Sequence, residues 1–209
     1  MQATRLLING IVQGVGFRPA VCRIAAQLKL KGWVRNTPGG VEIVLNALSA
    51  QVFRVTLSQQ LPRLAKIDSI TEELIDLTQL PDNFIILTNS CDSVFNNTAI
   101  PADSCVCEQC ISEVFNSQSR YYLYPFTSCC DCGPRYTMIS DLRYARTTTA
   151  LVNFPLCTYC HQEFTDPENR RYHAEAICCQ SCGPKMDLSL DTVANYIANG
   201  NIVALKTSG

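Results

Sequence analysis

The sequence predicts an α+β domain of βαββαβ order followed by a small module held by metal rather than by a hydrophobic core. Two observations carry this. Apolar residues in the first ninety positions switch between strand and helix periods. Eight of the thirteen cysteines then fall into two copies of Cys-x2-Cys-x18-Cys-x2-Cys.

The first domain is expected over 1–90. Leu6, Ile8 and Val12 alternate with Arg5, Asn9 and Gln13, the period of a half-buried strand. Phe17, Val21, Ile24, Ala25 and Leu28 share one face of a helix, and Pro19 suits its first turn, where a missing N–H costs nothing. Gly32 is expected to end that helix. Trp33 to Arg35 and Val41 to Leu45 flank Asn36-Thr37-Pro38-Gly39-Gly40, a turn signal between two strands. A second amphipathic helix fits 50–61, and strands near 67–74 and 84–87 close the set as an α+β sandwich.

Residues 91–104 read as a linker, and 105–186 as the metal module. Its cysteines are Cys107, Cys110, Cys129 and Cys132, then Cys157, Cys160, Cys179 and Cys182. A shift of 50 residues superposes the copies, together with Glu113/Glu163, Arg120/Arg170, Tyr122/Tyr172, Gly133/Gly183 and Pro134/Pro184. A two-residue gap lets both sulfurs of a knuckle face one ion, and two knuckles complete a four-thiolate zinc site, so two Zn²⁺ are expected. Disulfides need an oxidising compartment, and the start of the chain lacks a basic region followed by an apolar run, so a cytoplasmic, metal-binding setting is expected. The spacing leaves open whether ligands pair within a copy or across copies. Cys22, Cys91, Cys105, Cys130 and Cys178 lie off the pattern and read as small apolar or free thiols. His161 and His173 are not needed as ligands. For His173, whose equivalent in the first copy is Leu123, a structural role is preferred.

Residues 187–209 read as the start of a further domain. Asp191 would cap a helix with Val193, Ala194 and Ile197 on one face, Gly200 would stop it, and 202–205 would form a strand. The formal net charge is −1; eight thiolates with two divalent ions bring it to about −5. That balance disfavours broad nucleic-acid binding, although Arg143, Arg146, Arg170 and Arg171 cluster. No stretch is long and apolar enough for a membrane span.

The string Val-Gln-Gly-Val-Gly-Phe-Arg-Pro, 12–19, sits at the turn from first strand to first helix. Glycines there let backbone N–H groups converge on an anion, the helix presents its positive end, and Arg18 adds a bidentate fork. Asn36 ends the adjacent strand, and its amide can hold a water by donor and acceptor together. A cradle with an oriented water is the minimum equipment for hydrolysing a phosphate anhydride.

That string, with Gly32 to Asn36 and Gly39 to Glu42, resembles the acylphosphatase signature. The resemblance implies a ferredoxin-like fold, phosphate binding by Gly14, Val15, Gly16, Phe17 and Arg18, and Asn36 as the residue that orients water; Arg23 is read as solvated. The combination with the cysteine module, and the strings at 124–135, 154–157, 166–179 and 195–206, resembles the HypF family of hydrogenase maturation carbamoyltransferases. It implies a carbamoyl phosphate substrate, hydrolysed to carbamate. It further implies use of ATP by later domains, transfer of the carbamoyl group to a HypE-like acceptor protein, and a YrdC-like nucleotide-binding domain beginning near 187. Thr207-Ser208-Gly209, after Lys206, departs from the glycine-rich run usual in that domain, and the chain as given is expected to lack the transferase machinery. The competing expectation is a zinc-knuckle module that docks a protein or nucleic acid, its cradle inactive.

Overall fold

A computed structural model of the chain describes residues 2–87, 102–141 and 144–206. The expected linker therefore lies largely outside the described residues, as do Cys91 and Arg143. Among the described residues no helix is long and apolar enough to cross a membrane.

The first domain runs β1 (Gln2–Ile11), α1 (Phe17–Gln27), β2 (Gly32–Thr37), β3 (Gly40–Asn46), α2 (Ala50–Gln59), β4 (Lys66–Asp76) and β5 (Phe84–Ile86). The sheet order is β4-β1-β3-β2-β5, antiparallel throughout except that β5 pairs parallel with β2. The first four strands and two helices form the βαββαβ unit the periodicity predicts, and the further strand expected near 84–87 is β5, at the sheet edge. Leu6, Ile8, Val34, Ile43 and Leu45 from the strands meet Phe17, Val21 and Ile24 of α1 and Phe53 and Leu57 of α2 in one core. A smaller cluster of Ala3, Val44 and Leu80 covers the opposite side. Burying one such side chain contributes about 1.5–3 kcal/mol, and Tyr172 of the cysteine module packs into the main core as well.

Two local expectations are corrected. Gly32 does not end α1. The helix stops at Gln27, and Lys29 takes the left-handed turn at φ 54°, its N–H and that of Leu30 bonding back to the carbonyls of Ala26 and Ala25. Gly32 instead begins β2, where a Cβ would lie 2.1 Å from the Val44 carbonyl oxygen. Asn36 is likewise no turn residue: β2 continues to Thr37, and the turn narrows to Pro38-Gly39.

The module that follows is two copies of one unit. α3 (Glu108–Phe115) begins directly after Cys107 and carries Cys110; α4 (Thr158–Thr165) begins after Cys157 and carries Cys160. Each helix leads into a turn with a left-handed residue, Leu123 at φ 54° and His173 at φ 50°. Their N–H groups bond to Val114 O and Phe164 O, both at 2.9 Å. Because a leucine does the same in the first copy, the backbone conformation of His173 follows from the repeat. Tyr121 and Tyr124 are buried packing residues, with Ile177 and the cysteines around them, while Tyr122 is exposed.

At the C-terminal side, α5 (Leu190–Ala198) forms, capped by Ser189, whose hydroxyl accepts from Thr192 N, rather than by Asp191. The strand expected at 202–205 does not form. Ile202 is 102% exposed and Leu205 is exposed. A strand needs a ladder partner, and none lies beside this segment among the described residues.

A candidate anion site closed by the cysteine module

The two sets of four cysteines come together within each copy, not across copies. In the first, Cys107–Cys129, Cys129–Cys132 and Cys132–Cys110 sulfurs are 3.6, 3.8 and 3.6 Å apart. In the second, Cys157–Cys179, Cys179–Cys182 and Cys182–Cys160 are 3.8, 3.8 and 3.6 Å apart. A tetrahedron with metal–sulfur bonds of about 2.3 Å has edges of about 3.8 Å. The donor set fits zinc and is far too open for disulfides. His161 and His173 belong to neither set.

The copies brace each other reciprocally. Arg120 of the first reaches Cys160 Sγ at 3.0 Å and Glu163 at 2.6 Å in the second. Arg170 of the second reaches Cys110 Sγ at 3.2 Å and Glu113 at 2.5 Å in the first. Arg171 lies between them, bonding Glu113 and the Ser128 carbonyl and stacking 3.8 Å from the Tyr121 ring. Such outer contacts orient ligands and balance thiolate charge. The basic cluster read from sequence is thus largely spent inside the module. Arg146 likewise donates to the carbonyls of Glu175, Ile177 and Phe154. Cys130 and Cys178, beside ligands in sequence, are buried thiols that donate to Tyr172 O and Phe126 O; burial pushes their pKa up to about 12 and about 11.

The loop between β1 and α1 packs against this module. Gly14 and Gly16 adopt φ 72° and 74°, conformations that turn successive N–H groups into a concavity. Both also permit close approach: a Cβ on Gly16 would sit 2.9 Å from Cys130 Cβ, and one on Gly14 3.1 Å from the Tyr144 ring. Gly14, Gly16, Phe17 and Arg18 line one side of a cleft whose other wall includes Cys130, Tyr144, His173 and Glu175. Arg18, largely buried, donates to Glu175 Oε1 at 3.0 Å. Burial first, and then the Arg18 charge, push the His173 pKa down to about 4. The cavity left beside this ion pair is about 20 Å³, room for about one water.

Val15 and Asn36 do not line the cleft. Val15 is buried in the domain core. Asn36 is 0% exposed, and neither amide atom has a protein hydrogen-bond partner. Gln13 ties the loop to the β2–β3 hairpin through two 2.8 Å bonds, to the carbonyl of Thr37, which follows Asn36 in the chain, and to that of Gly40. Glu175 and Tyr144 were not read from the sequence as site residues; Glu175 stands 157 residues from Arg18.

Comparison with known proteins matches residues 4–86 to the Acylphosphatase family and 106–139 and 156–189 to the HypF finger. A Carbamoyltransferase HypF of Rhodobacter capsulatus is 33% identical over 100% of this chain and 29% of its own length. The crystal structure of a full-length HypF in the phosphate- and nucleotide-bound form superposes with a TM-score of 0.86 at 34% identity, over 95% of this chain and 27% of that one. The chain belongs to the HypF family. It matches the N-terminal part, an acylphosphatase domain followed by HypF fingers. An Acylphosphatase of Caldivirga maquilingensis is 43% identical over 33% of this chain and 76% of its own length. The chain spans less than a third of the HypF relatives it matches.

Proposed function

We propose that the first domain hydrolyses carbamoyl phosphate at its phosphate anhydride, supplying carbamate to the carbamoyl transfer carried out by full-length HypF proteins. The phosphoryl group binds the N–H groups of Gly14 to Phe17 and the guanidinium of Arg18 at the positive end of α1. The Asn36 amide holds a water by accepting from one O–H and donating to its oxygen. Water oxygen attacks phosphorus, the bond from phosphorus to the carbamoyl oxygen breaks, and carbamate leaves as an anion with dihydrogen phosphate. The observation that carries this reading is the buried, unpartnered amide of Asn36 beside a loop fastened to its hairpin by Gln13. Leaving such an amide without a partner costs about 1–3 kcal/mol, a cost that makes sense where the partner is a reacting water.

Each set of four cysteines would bind one zinc ion, and the ions serve structure, since four thiolates leave no open position for substrate. ATP use, a HypE-like acceptor, a role in making the cyanide ligand of [NiFe]-hydrogenase, and a cytoplasmic location belong to this reading at the level of the whole enzyme. Residues from about 187 would open its nucleotide-binding part. Phosphate release from carbamoyl phosphate tests the proposal. Arg18→Ala and Asn36→Ala should each lower kcat about 100- to 1000-fold, with circular dichroism unchanged. Equal rates in all three proteins would refute it, and would leave the fingers as a protein-docking module.

A further inference from the structure

We infer that Glu175 is a specificity-determining residue: its carboxylate accepts an N–H from the carbamoyl end of the substrate while Arg18 holds the phosphoryl end. The inference deepens the proposed function and rests on it. Glu175 faces the cradle across the cleft, with Oε1 3.0 Å from Arg18 Nη2 and Oε2 accepting from Arg146 N at 2.9 Å. Its backbone carbonyl accepts from the Arg146 guanidinium at 3.0 Å, so side chain and main chain are both fixed. The duplication gives an internal control. The two copies share their cysteines, their bracing arginines and glutamates and their left-handed turn. Yet they differ where the second copy meets the cleft: Leu123, Tyr124 and Pro125 stand where His173, Ala174 and Glu175 do. A proline serves the finger fold at that place, so the fold does not call for a carboxylate there.

An ionised carboxylate only accepts hydrogen bonds, and each oxygen has more than one accepting direction. A phosphoryl dianion brought beside it is repelled unless donors lie between. Arg18 is one donor. The –NH₂ of a carbamoyl group supplies a second, and the methyl of an acetyl group cannot. Sites built to bond an N–H disfavour the analogue that lacks it; here both oxygens already have one protein donor each, so what the methyl analogue leaves empty is the further accepting direction of a buried carboxylate. Of the other side chains on that wall, His173 and Tyr144 offer no fixed negative acceptor, and Cys129 belongs to the first four-cysteine set.

The test is calorimetric binding of two stable, isosteric phosphonates to the intact chain: phosphonoacetamide, which carries the –NH₂, and acetonylphosphonate, which carries a methyl instead. Wild type should bind the amide roughly 10- to 100-fold more tightly, the range for one hydrogen bond to a charged group. Glu175→Ala should bring the ratio to about one without weakening acetonylphosphonate, and Glu175→Gln, which keeps an accepting oxygen, should preserve a preference for the amide. A wild-type ratio near one overturns the inference however the variants fold, and so does a Glu175→Ala protein that loses both ligands equally. Because binding is read without turnover, absence of hydrolysis with the preference intact would count against the proposed reaction and not against this residue. Failure of wild type to bind either phosphonate would sink both.

Discussion

Replacing Arg170 with alanine should weaken the metal site of the opposite finger. Arg170 follows Cys160 in sequence, but its guanidinium lies 3.2 Å from Cys110 Sγ and 3.8 Å from Cys107 Sγ, ligands of the first site. It also bonds Glu113 at 2.5 Å, a pair less than a third exposed on either side. A hydrogen bond to a charged group contributes about 1.5–3 kcal/mol, and loss of an outer contact to a metal ligand costs about 10- to 100-fold in affinity. Glu113 keeps Arg171 as a partner in the variant, so the lower end applies, about tenfold or 1.4 kcal/mol. The assay is cadmium-113 NMR of the metal-substituted chain during chelator titration, with the resonances assigned through Cys107→Ser. In Arg170→Ala the signal of the Cys107 site should disappear at about tenfold less chelator, while that of the Cys157 site holds. Arg120→Ala should do the reverse. If either arginine weakens the site of its own copy, or both sites equally, the reciprocal bracing does not govern metal affinity.

Three further outcomes are expected. The pKa of His173 is lowered to about 4 by burial and by Arg18, so the folded state takes up its proton less readily than the unfolded chain; stability from this group is present above about pH 6.5 and is lost as pH falls toward 4. His173→Leu, which places in the second copy the residue found in the first, should therefore flatten urea stability between those values, and an unchanged slope would refute the assignment. Gly16→Ala forces a side chain into the left-handed region against Cys130 and should cost at least about 1–2 kcal/mol in chemical denaturation; a neutral result would mean the loop is not pressed against the finger module. Chelation should abolish amide protection in the module, whose cores are built around cysteines, while the amides of β1 and β3 stay protected. Simultaneous loss of both would show that the first domain does not stand alone.

Much of this architecture was readable because period and spacing are local signals. Leu6 and Ile8, and Phe17 through Ala25, announce a strand and a helix from within a dozen residues, and the fifty-residue shift announces the duplication. The pairing of ligands was not readable, since equal spacing in both copies allows either arrangement. The bracing left a trace: Glu113/Glu163 and Arg120/Arg170 recur with the cysteines, and charged residues repeated beside metal ligands point to outer contacts. Glu175 left none, because its meeting with Arg18 depends on how two separate units pack. The strand at 202–205 was misread because apolar content alone says nothing about whether a neighbouring strand exists, and Asn36 looked like a turn because Pro38-Gly39 obscured how far β2 extends.

In the proposed reaction the cradle aims water at phosphorus. Hydrolysis of carbamoyl phosphate in oxygen-18 water, followed by phosphorus-31 NMR, tests it directly. One heavy oxygen should appear in each phosphate released by the wild-type chain, and none in excess of background with Asn36→Ala. Unlabelled phosphate from the wild type would mean that the bond breaks elsewhere, and would contradict the roles given to Arg18 and Asn36.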